Sequence, residues 1–329
     1  MLIRFFRTSH PSSFLTIPFI ALLWWIPFFL NHPESFIENP QHTMPLYEWI
    51  FAGINKLPVV GQLILSWLII SAQAIYLNQF VLKYELFPRP GFLPALFFIT
   101  FYVLFPEMMR IQPSLFVNLI LLIVLDKIFL LYKNAEPFGQ VFNSSFLLAV
   151  ATFIDSSSVI FYIFFLLSLI TLLPLYWRIW LISFIGFVLP YYFISVYFFW
   201  TDSLGDFWQR KIPESFSYFQ LTPLNFSVSQ IVLFSFIFLL LFFSIRSVTK
   251  HFYKNIIRTR RYFQIIFILL FTAGISLFIG ESIHLKSTCV MVIPLSLLFG
   301  YYFHQIKKGA LSEFLYLIFI ALIIIVRLP

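Results

Sequence analysis

The chain has 329 residues, of which 61% are hydrophobic and 10% are charged, and its mean hydropathy is +0.94. Soluble domains are about 45 to 50% apolar and about 25% charged, so this composition leaves too little polar surface to cover a water-soluble globule. The formal net charge is +8. We therefore predict a polytopic membrane protein that forms one integral membrane domain over residues 1–329.

Apolar segments separated by proline, asparagine, glycine or charged clusters predict the spanning helices, since one crossing takes about 20 apolar residues. The first segment follows two arginines, as in a signal peptide, but it reaches Leu30 without an A-x-A cleavage site, so we expect it to remain as a helix. The predicted fold is an all-α bundle of about 11 helices. The segments are 14–31, 59–82, 91–105, 114–132, 144–154, 159–176, 179–200, 231–245, 263–280, 288–304 and 311–326.

The distribution of charge decides whether 144–176 is one helix or two, because the run Asp155-Ser156-Ser157-Ser158 interrupts it. With two helices and a cytoplasmic N-terminus, 15 of the 21 basic residues face the cytoplasm. With one helix, the six basic residues from Arg246 to Arg261 would face outward, against the positive-inside rule. We therefore predict eleven helices, with the N-terminus inside and the C-terminus outside.

Two further segments are predicted to be helices at the membrane surface. On the outer face, the segment PLYEWIFAGINKL (45–57) is short and rich in aromatic residues, which suit an interface. On the inner face, Arg246, Lys250, Lys254 and Arg258 recur at i+4 spacing, which is typical of a basic interfacial helix. We expect these four residues to contact anionic lipid headgroups rather than nucleic acid.

The sequence lacks the common signatures of soluble enzymes. It contains no G-x-x-x-x-G-K-[ST], G-x-G-x-x-G, H-E-x-x-H or G-x-S-x-G motif, so no pattern points to nucleotide hydrolysis or to zinc or serine hydrolysis. The single cysteine, Cys289, excludes a disulfide framework and a cysteine-rich metal site. We accordingly predict no metal and no cofactor.

Polar residues at the predicted outer ends of the helices are the candidates for chemistry. A carboxylate such as Glu38 or Glu48 can deprotonate an acceptor hydroxyl. Nearby cations can bind a departing phosphate, and a histidine can polarise the acceptor. The predicted substrate-binding residues are Arg110, Arg210, Lys211, His284 and Lys286.

Two other acidic residues admit two interpretations each. Asp126 and Lys127 belong to a predicted span, where ionisable residues are often functional, yet they lie near its inner end, so a surface position is favoured. Asp155 either belongs to a helix-breaking surface turn, which is favoured, or lines a cavity at the break.

Three stretches stand out: RFFRTSHPSSF near the N-terminus, NAEPFGQVFNSSFLLAVATFIDSSSVIFYIFFLLSLITL in the middle and GESIHLKSTCVMVIPLSLLFGYYF near the end. They resemble a family of multi-pass inner-membrane proteins of Bacteroidota, which implies a location and no reaction.

The acidic first outer loop followed by many short spans is similar to the GT-C membrane glycosyltransferases, which use lipid-linked sugar donors and a carboxylate in that loop. Those enzymes often carry two adjacent acidic residues there, whereas this loop has separated glutamates. The resemblance therefore implies a role for single residues, chiefly Glu38 and Glu48.

The first hypothesis is a GT-C-like transferase of the bacterial inner membrane that acts at the outer face on a polyprenyl-phosphate-linked sugar or a related envelope lipid. One alternative is a non-enzymatic membrane subunit that docks other membrane proteins of an envelope or secretion assembly. Another is a transporter of small solutes or lipids. A groove that gathers Glu38 or Glu48 with Arg110 and Arg210 would favour the transferase.

Overall fold

A computed structural model describes residues 2–8, 12–31, 33–38, 44–134, 136–174, 176–213, 227–252, 256–277, 289–306 and 309–327. In this part of the chain the regular structure is helical, apart from one β-bridge between Ile37 and Ile111. The predicted all-α class is confirmed.

Each of the eleven predicted apolar segments contains a helix. Helix α1 at the N-terminus and α3 within the segment 45–57 accompany them. Among the described residues, the α-helices of five residues or more are α1 Leu2–Phe6, α2 Ser12–Asn31, α3 Pro45–Ile54, α4 Val59–Lys83, α5 Leu93–Tyr102, α6 Pro113–Phe129, α7 Phe138–Thr152, α8 Ile160–Leu172, α9 Trp177–Trp200, α10 Val228–His251, α11 Ile257–Ser276, α12 Val292–Gln305 and α13 Gly309–Arg327.

Four of the described helices, α4, α9, α10 and α13, are long and apolar enough to cross a membrane. Helices α2, α5, α7, α8 and α12 contain shorter apolar segments of 10 to 17 residues. The structure thus supports a membrane protein, while the eleven crossings and the orientation stay predictions.

The stretch 144–176 is divided into two helices, as predicted. Helix α7 ends at Thr152, a 3-10 turn covers Ser156–Val159, and α8 begins at Ile160. Asp155 caps the turn, since its Oδ1 accepts hydrogen bonds from the Ser157 N–H at 3.0 Å and the Ser157 hydroxyl at 2.8 Å. Helix α7 begins at Phe138, six residues before the predicted start, because the helix continues through Asn143, the residue that precedes the predicted segment.

The centre of the bundle is formed by α5 and α12. Every residue of α5 is buried, and it packs against α2, α4 and α12. Gly300 permits the close contact of α12 with the start of α5, because an added Cβ would stand 3.3 Å from the Pro94 nitrogen. Around this centre, α10 packs on α12 and α13, α11 on α8, and α7 on α6 and α9.

Several described segments between the helices gather at two ends of the bundle, which α4 connects. We call one the acidic end, which holds residues 33–38, 44–54, 105–112 and 153–158, joined by the bridge between Ile37 and Ile111 and by a bond from the Leu46 N–H to the Phe153 carbonyl at 3.1 Å. We call the other the basic end, which holds residues 4–8, 83–92, 126–133 and 257–262.

At the basic end, ion pairs join three of the loops. Lys83 Nζ lies 2.7 Å from Asp126 Oδ1, and Arg258 Nη2 lies 2.9 Å from Glu85 Oε2. The Phe92 N–H also donates to the Phe6 carbonyl at 2.7 Å. Asp126 is therefore paired with Lys83 at this end of the bundle, and its position relative to the membrane surface stays a prediction.

The basic segment 246–261 is divided between two helices. Arg246 and Lys250 continue α10 to its end, and Arg258 belongs to the first turn of α11. Lys254 lies outside the described residues. No proline or glycine interrupts the segment before His251, so α10 simply extends through its first half. Contact with lipid headgroups stays a prediction.

Candidate functional site

The loop that carries Glu38 is held against the start of α6 by backbone hydrogen bonds. The Glu38 N–H donates to the Ile111 carbonyl at 2.8 Å, and the Ile111 N–H donates to the Phe36 carbonyl at 3.0 Å. The Phe36 N–H in turn donates to Gln62 Oε1 of α4 at 2.9 Å. These bonds place the backbone of Glu38 beside Ile111, the residue that follows the predicted site residue Arg110.

Tyr47 of α3 stabilises the position of the loop that carries Glu38. Its hydroxyl donates to the Glu38 carbonyl at 3.0 Å, and its ring is fully buried. Burial, with a further contribution from the negative charge of Glu38, raises the pKa of Tyr47 above its usual value, so the phenol keeps its proton. Glu48 is the next residue along α3 and is half-buried, which brings the second predicted carboxylate to the same end.

Asp155 joins the site from the turn between α7 and α8. The bond from the Leu46 N–H to the Phe153 carbonyl fixes this turn beside α3. Burial raises the pKa of Asp155, and the negative charge of Glu38 raises it further, while the bonds from Ser157 oppose the shift. The carboxyl groups of Asp155 and Glu38, from distant segments, thus lie at the same end of the bundle.

Two arginines supply positive charge at this end. Arg110 is exposed and directly precedes Ile111 of the β-bridge. Arg327, at the end of α13, donates from Nη2 to Met109 Sδ at 2.8 Å, and its guanidinium carbon lies 5.2 Å from the centre of the Trp24 ring. Nothing in the sequence singles out Arg327, because no pattern links residue 327 with residue 109.

The remaining predicted site residues are described only by their backbone or lie outside the described part of the chain. Arg210 and Lys211 belong to a π-helical turn, Phe207–Lys211, and their side chains lie outside the description. This turn follows α9, whose Tyr197 ring packs 5.3 Å from that of Trp49 in α3, so its backbone is at the acidic end. His284 and Lys286 lie outside the described residues.

An apolar cavity of about 670 Å³ opens beside this polar end, between α5, α10 and the start of α12. Among the described residues that line it, only Ser235 has a polar side chain. Met108 is part of the lining, and the next residue, Met109, contacts Arg327. The lining residues are Phe101, Leu104, Phe105, Met108, Phe234, Ser235, Ile237, Phe238, Leu239, Leu241, Phe242, Leu277, Met291, Val292 and Leu295.

The arrangement suits an amphipathic ligand. Carboxylates can accept a proton, arginines can bind an anionic group, and an apolar cavity can take a hydrocarbon chain. No protein-family description, curated protein or solved structure matches the chain.

Proposed function

We propose that this protein is an integral membrane transferase of GT-C-like architecture that uses a polyprenyl-phosphate-linked sugar or a related envelope lipid. The observation that supports the proposal most is the position of the apolar cavity. Its lining includes Met108, which precedes the arginine-contacting Met109 and lies at the same end of the bundle as Glu38. A lipid chain in the cavity therefore brings its phosphate to the cations.

The proposed roles follow from this placement. Glu38 removes the proton from an acceptor hydroxyl, with Glu48 as the second candidate base. The acceptor oxygen then bonds to the anomeric carbon of the sugar, the bond between that carbon and the phosphate oxygen breaks, and the lipid phosphate leaves with the electron pair. Arg110 and Arg327 stabilise the negative charge on that phosphate. Arg210, Lys211 and Lys286 are proposed to add charge from the neighbouring loops, and His284 to polarise the acceptor.

The proposed location is the inner membrane of a bacterium, with the acidic end outside. In this orientation the basic end, with Arg258 and Arg246, faces the anionic inner leaflet. Lipid-linked sugars would then reach the cavity from the outer leaflet.

The binding step can be tested with polyprenyl phosphate itself, titrated onto the purified protein and followed by native mass spectrometry. We expect Leu295→Trp, which fills the cavity, and Arg327→Met, which removes the cation, each to weaken binding at least tenfold. Leu317→Trp is the matched control, because Leu317 is exposed on α13, away from the cavity lining. Equal binding by all three variants and the wild type would contradict the proposal that the substrate is a lipid-linked sugar.

The transfer step can be tested by incubating membranes with radiolabelled lipid-linked sugars. We expect Glu38→Gln to lower the rate at least a hundredfold, while Glu34→Gln, an exposed glutamate of the same loop, leaves it unchanged. Full activity of Glu38→Gln would contradict the proposal that Glu38 is the catalytic base. Co-purification of a stoichiometric partner, with no effect of either glutamate, would favour the non-enzymatic subunit instead.

A further inference from the structure

Two amide side chains lie in the interior of the bundle and hold its helices together. Gln73 of α4 is 1% exposed, and its Nε2 donates to the Leu115 carbonyl of α6 at 2.9 Å. Asn118 of α6 is fully buried, and its Nδ2 donates to the Tyr102 hydroxyl at 2.5 Å and to the Cys289 carbonyl at 2.6 Å. Leu115 and Asn118 are one helical turn apart, so both amides flank the same turn of α6.

The orientation of both amides is fixed by chemistry. Backbone carbonyls only accept hydrogen bonds, so the NH₂ group of Gln73 must face Leu115 and that of Asn118 must face Cys289. Exchanging oxygen and nitrogen in either amide would set two acceptors against each other. The oxygens Gln73 Oε1 and Asn118 Oδ1 are consequently directed elsewhere, and within the described part of the chain they accept no hydrogen bond.

A buried carbonyl oxygen without a donor is unfavourable, and buried polar groups are normally satisfied by protein or by ordered water. We propose that a water molecule is bound between α4 and α6 and donates its two O–H groups to Gln73 Oε1 and Asn118 Oδ1. A metal cation fits less well, because the side chains that contact this amide pair and Cys289 are the neutral Tyr102 and Gln112, and a buried charge needs a counter-charge.

The proposed water site supports one edge of the apolar cavity. Asn118 holds the Cys289 carbonyl, and Gln112 Nε2 donates to Cys289 Sγ at 2.8 Å. Met291 and Val292, which follow within three residues, line the cavity. The water thus connects α4 and α6 to the turn from which α12 begins. This inference does not depend on the proposed transferase activity.

The test is solution NMR of the purified full-length protein in micelles, with ¹⁵N-labelled glutamine and asparagine and measurement of cross-relaxation between side-chain amide protons and water. We expect water cross-peaks from the Gln73 and Asn118 amides. Gln73 is the cleaner reporter, since its nitrogen bonds to a carbonyl, which cannot relay exchange from a hydroxyl. Gln62 is the matched control, because it is buried and its two amide ends are bonded to Leu57 and Phe36.

The wild-type spectrum and one variant decide the proposal. Cross-peaks at Gln73 and Asn118, with none at Gln62, support it. The absence of cross-peaks at Gln73, or equal cross-peaks at all three amides, overturns it. In a Gln73→Met variant that retains the wild-type spectrum elsewhere, loss of the Asn118 cross-peak further supports the bridge, whereas an unchanged peak shows that the two oxygens do not share a water molecule.

Discussion

Gly186 of α9 faces Ser145 of α7 with no room for a side chain between them. A Cβ added at Gly186 would collide with Ser145 Oγ and would stand 2.9 Å from the Phe142 carbonyl oxygen. Ser145 turns its hydroxyl back to its own helix, donating to the Val141 carbonyl at 3.0 Å. Small residues at this contact let the two helices approach closely, which is a common way to pack helices in membranes.

We therefore expect Gly186→Ala to lower the free energy of unfolding by about 1 to 3 kcal/mol, the usual cost of overpacking. Gly274→Ala is the control, because Gly274 is also within a helix but has open space around its Cβ position. There the gain in helix propensity should stabilise the protein by up to about 1 kcal/mol. Thermal unfolding in detergent measures both, and equal shifts in the two variants would contradict the close packing.

Tyr47→Phe should loosen the loop that carries Glu38. The variant loses the hydroxyl that donates to the Glu38 carbonyl but keeps the buried ring, so we expect a loss of about 1 kcal/mol. Hydrogen exchange at the Glu38 and Ile111 amides should speed up in parallel. Tyr192→Phe, which alters an exposed residue of α9, should change neither quantity. An unchanged rate of hydrogen exchange at the Glu38 amide in Tyr47→Phe would show that the Tyr47 hydroxyl does not stabilise the loop.

The raised pKa of Asp155 predicts a specific pH dependence of stability. The folded-state pKa of Asp155 lies above the unfolded value of about 3.9. The contribution of Asp155 to the free energy of unfolding is therefore fully present below the unfolded pKa. It is lost as the pH rises through the folded pKa. Asp155→Asn keeps an oxygen to accept from Ser157 and removes the titration. The variant should gain stability relative to the wild type as pH rises from about 4 to 8.

Unfolding midpoints across this pH range provide the measurement. Asp202→Asn is the control, since Asp202 is exposed and its left-handed backbone (φ 53°) accepts asparagine readily. That control should show no pH-dependent gain. A difference between Asp155→Asn and wild type that stays constant with pH would rule out a raised pKa.

The predicted orientation places Asp206 and Arg258 on opposite sides of the membrane. The native Cys289 is buried, so single cysteines introduced as Asp206→Cys and Arg258→Cys can be probed with a membrane-impermeant maleimide. In intact spheroplasts we expect labelling of Asp206→Cys only, and labelling of Arg258→Cys after lysis. Glu136→Cys should behave like Arg258→Cys. Labelling of Arg258→Cys before lysis would invert the orientation and move the acidic end to the cytoplasm.

The positions of the helices were largely predictable, because the apolar segments are long and are punctuated by turn-forming residues. The break at Asp155 was predictable too, since a polar run cannot continue an apolar span without a partner. The predicted positions of the helix ends were less accurate. Asn143 lies inside α7, because a helix can keep one polar residue inside it, and local sequence does not reveal whether it does so.

Sequence by itself determined that this is a membrane protein, where its helices lie and which carboxylates and cations are available at their ends, because hydrophobicity and helix termination are local properties. Tertiary structure alone decided that Glu38 meets Ile111, that the Asp155 turn lies beside α3, that Arg327 contacts Met109, and that an apolar cavity opens between α5, α10 and α12. These contacts join residues far apart in the chain. They depend on which faces of uniformly apolar helices pack together, and a chain with 47 phenylalanines offers almost no periodic polarity from which to read those faces.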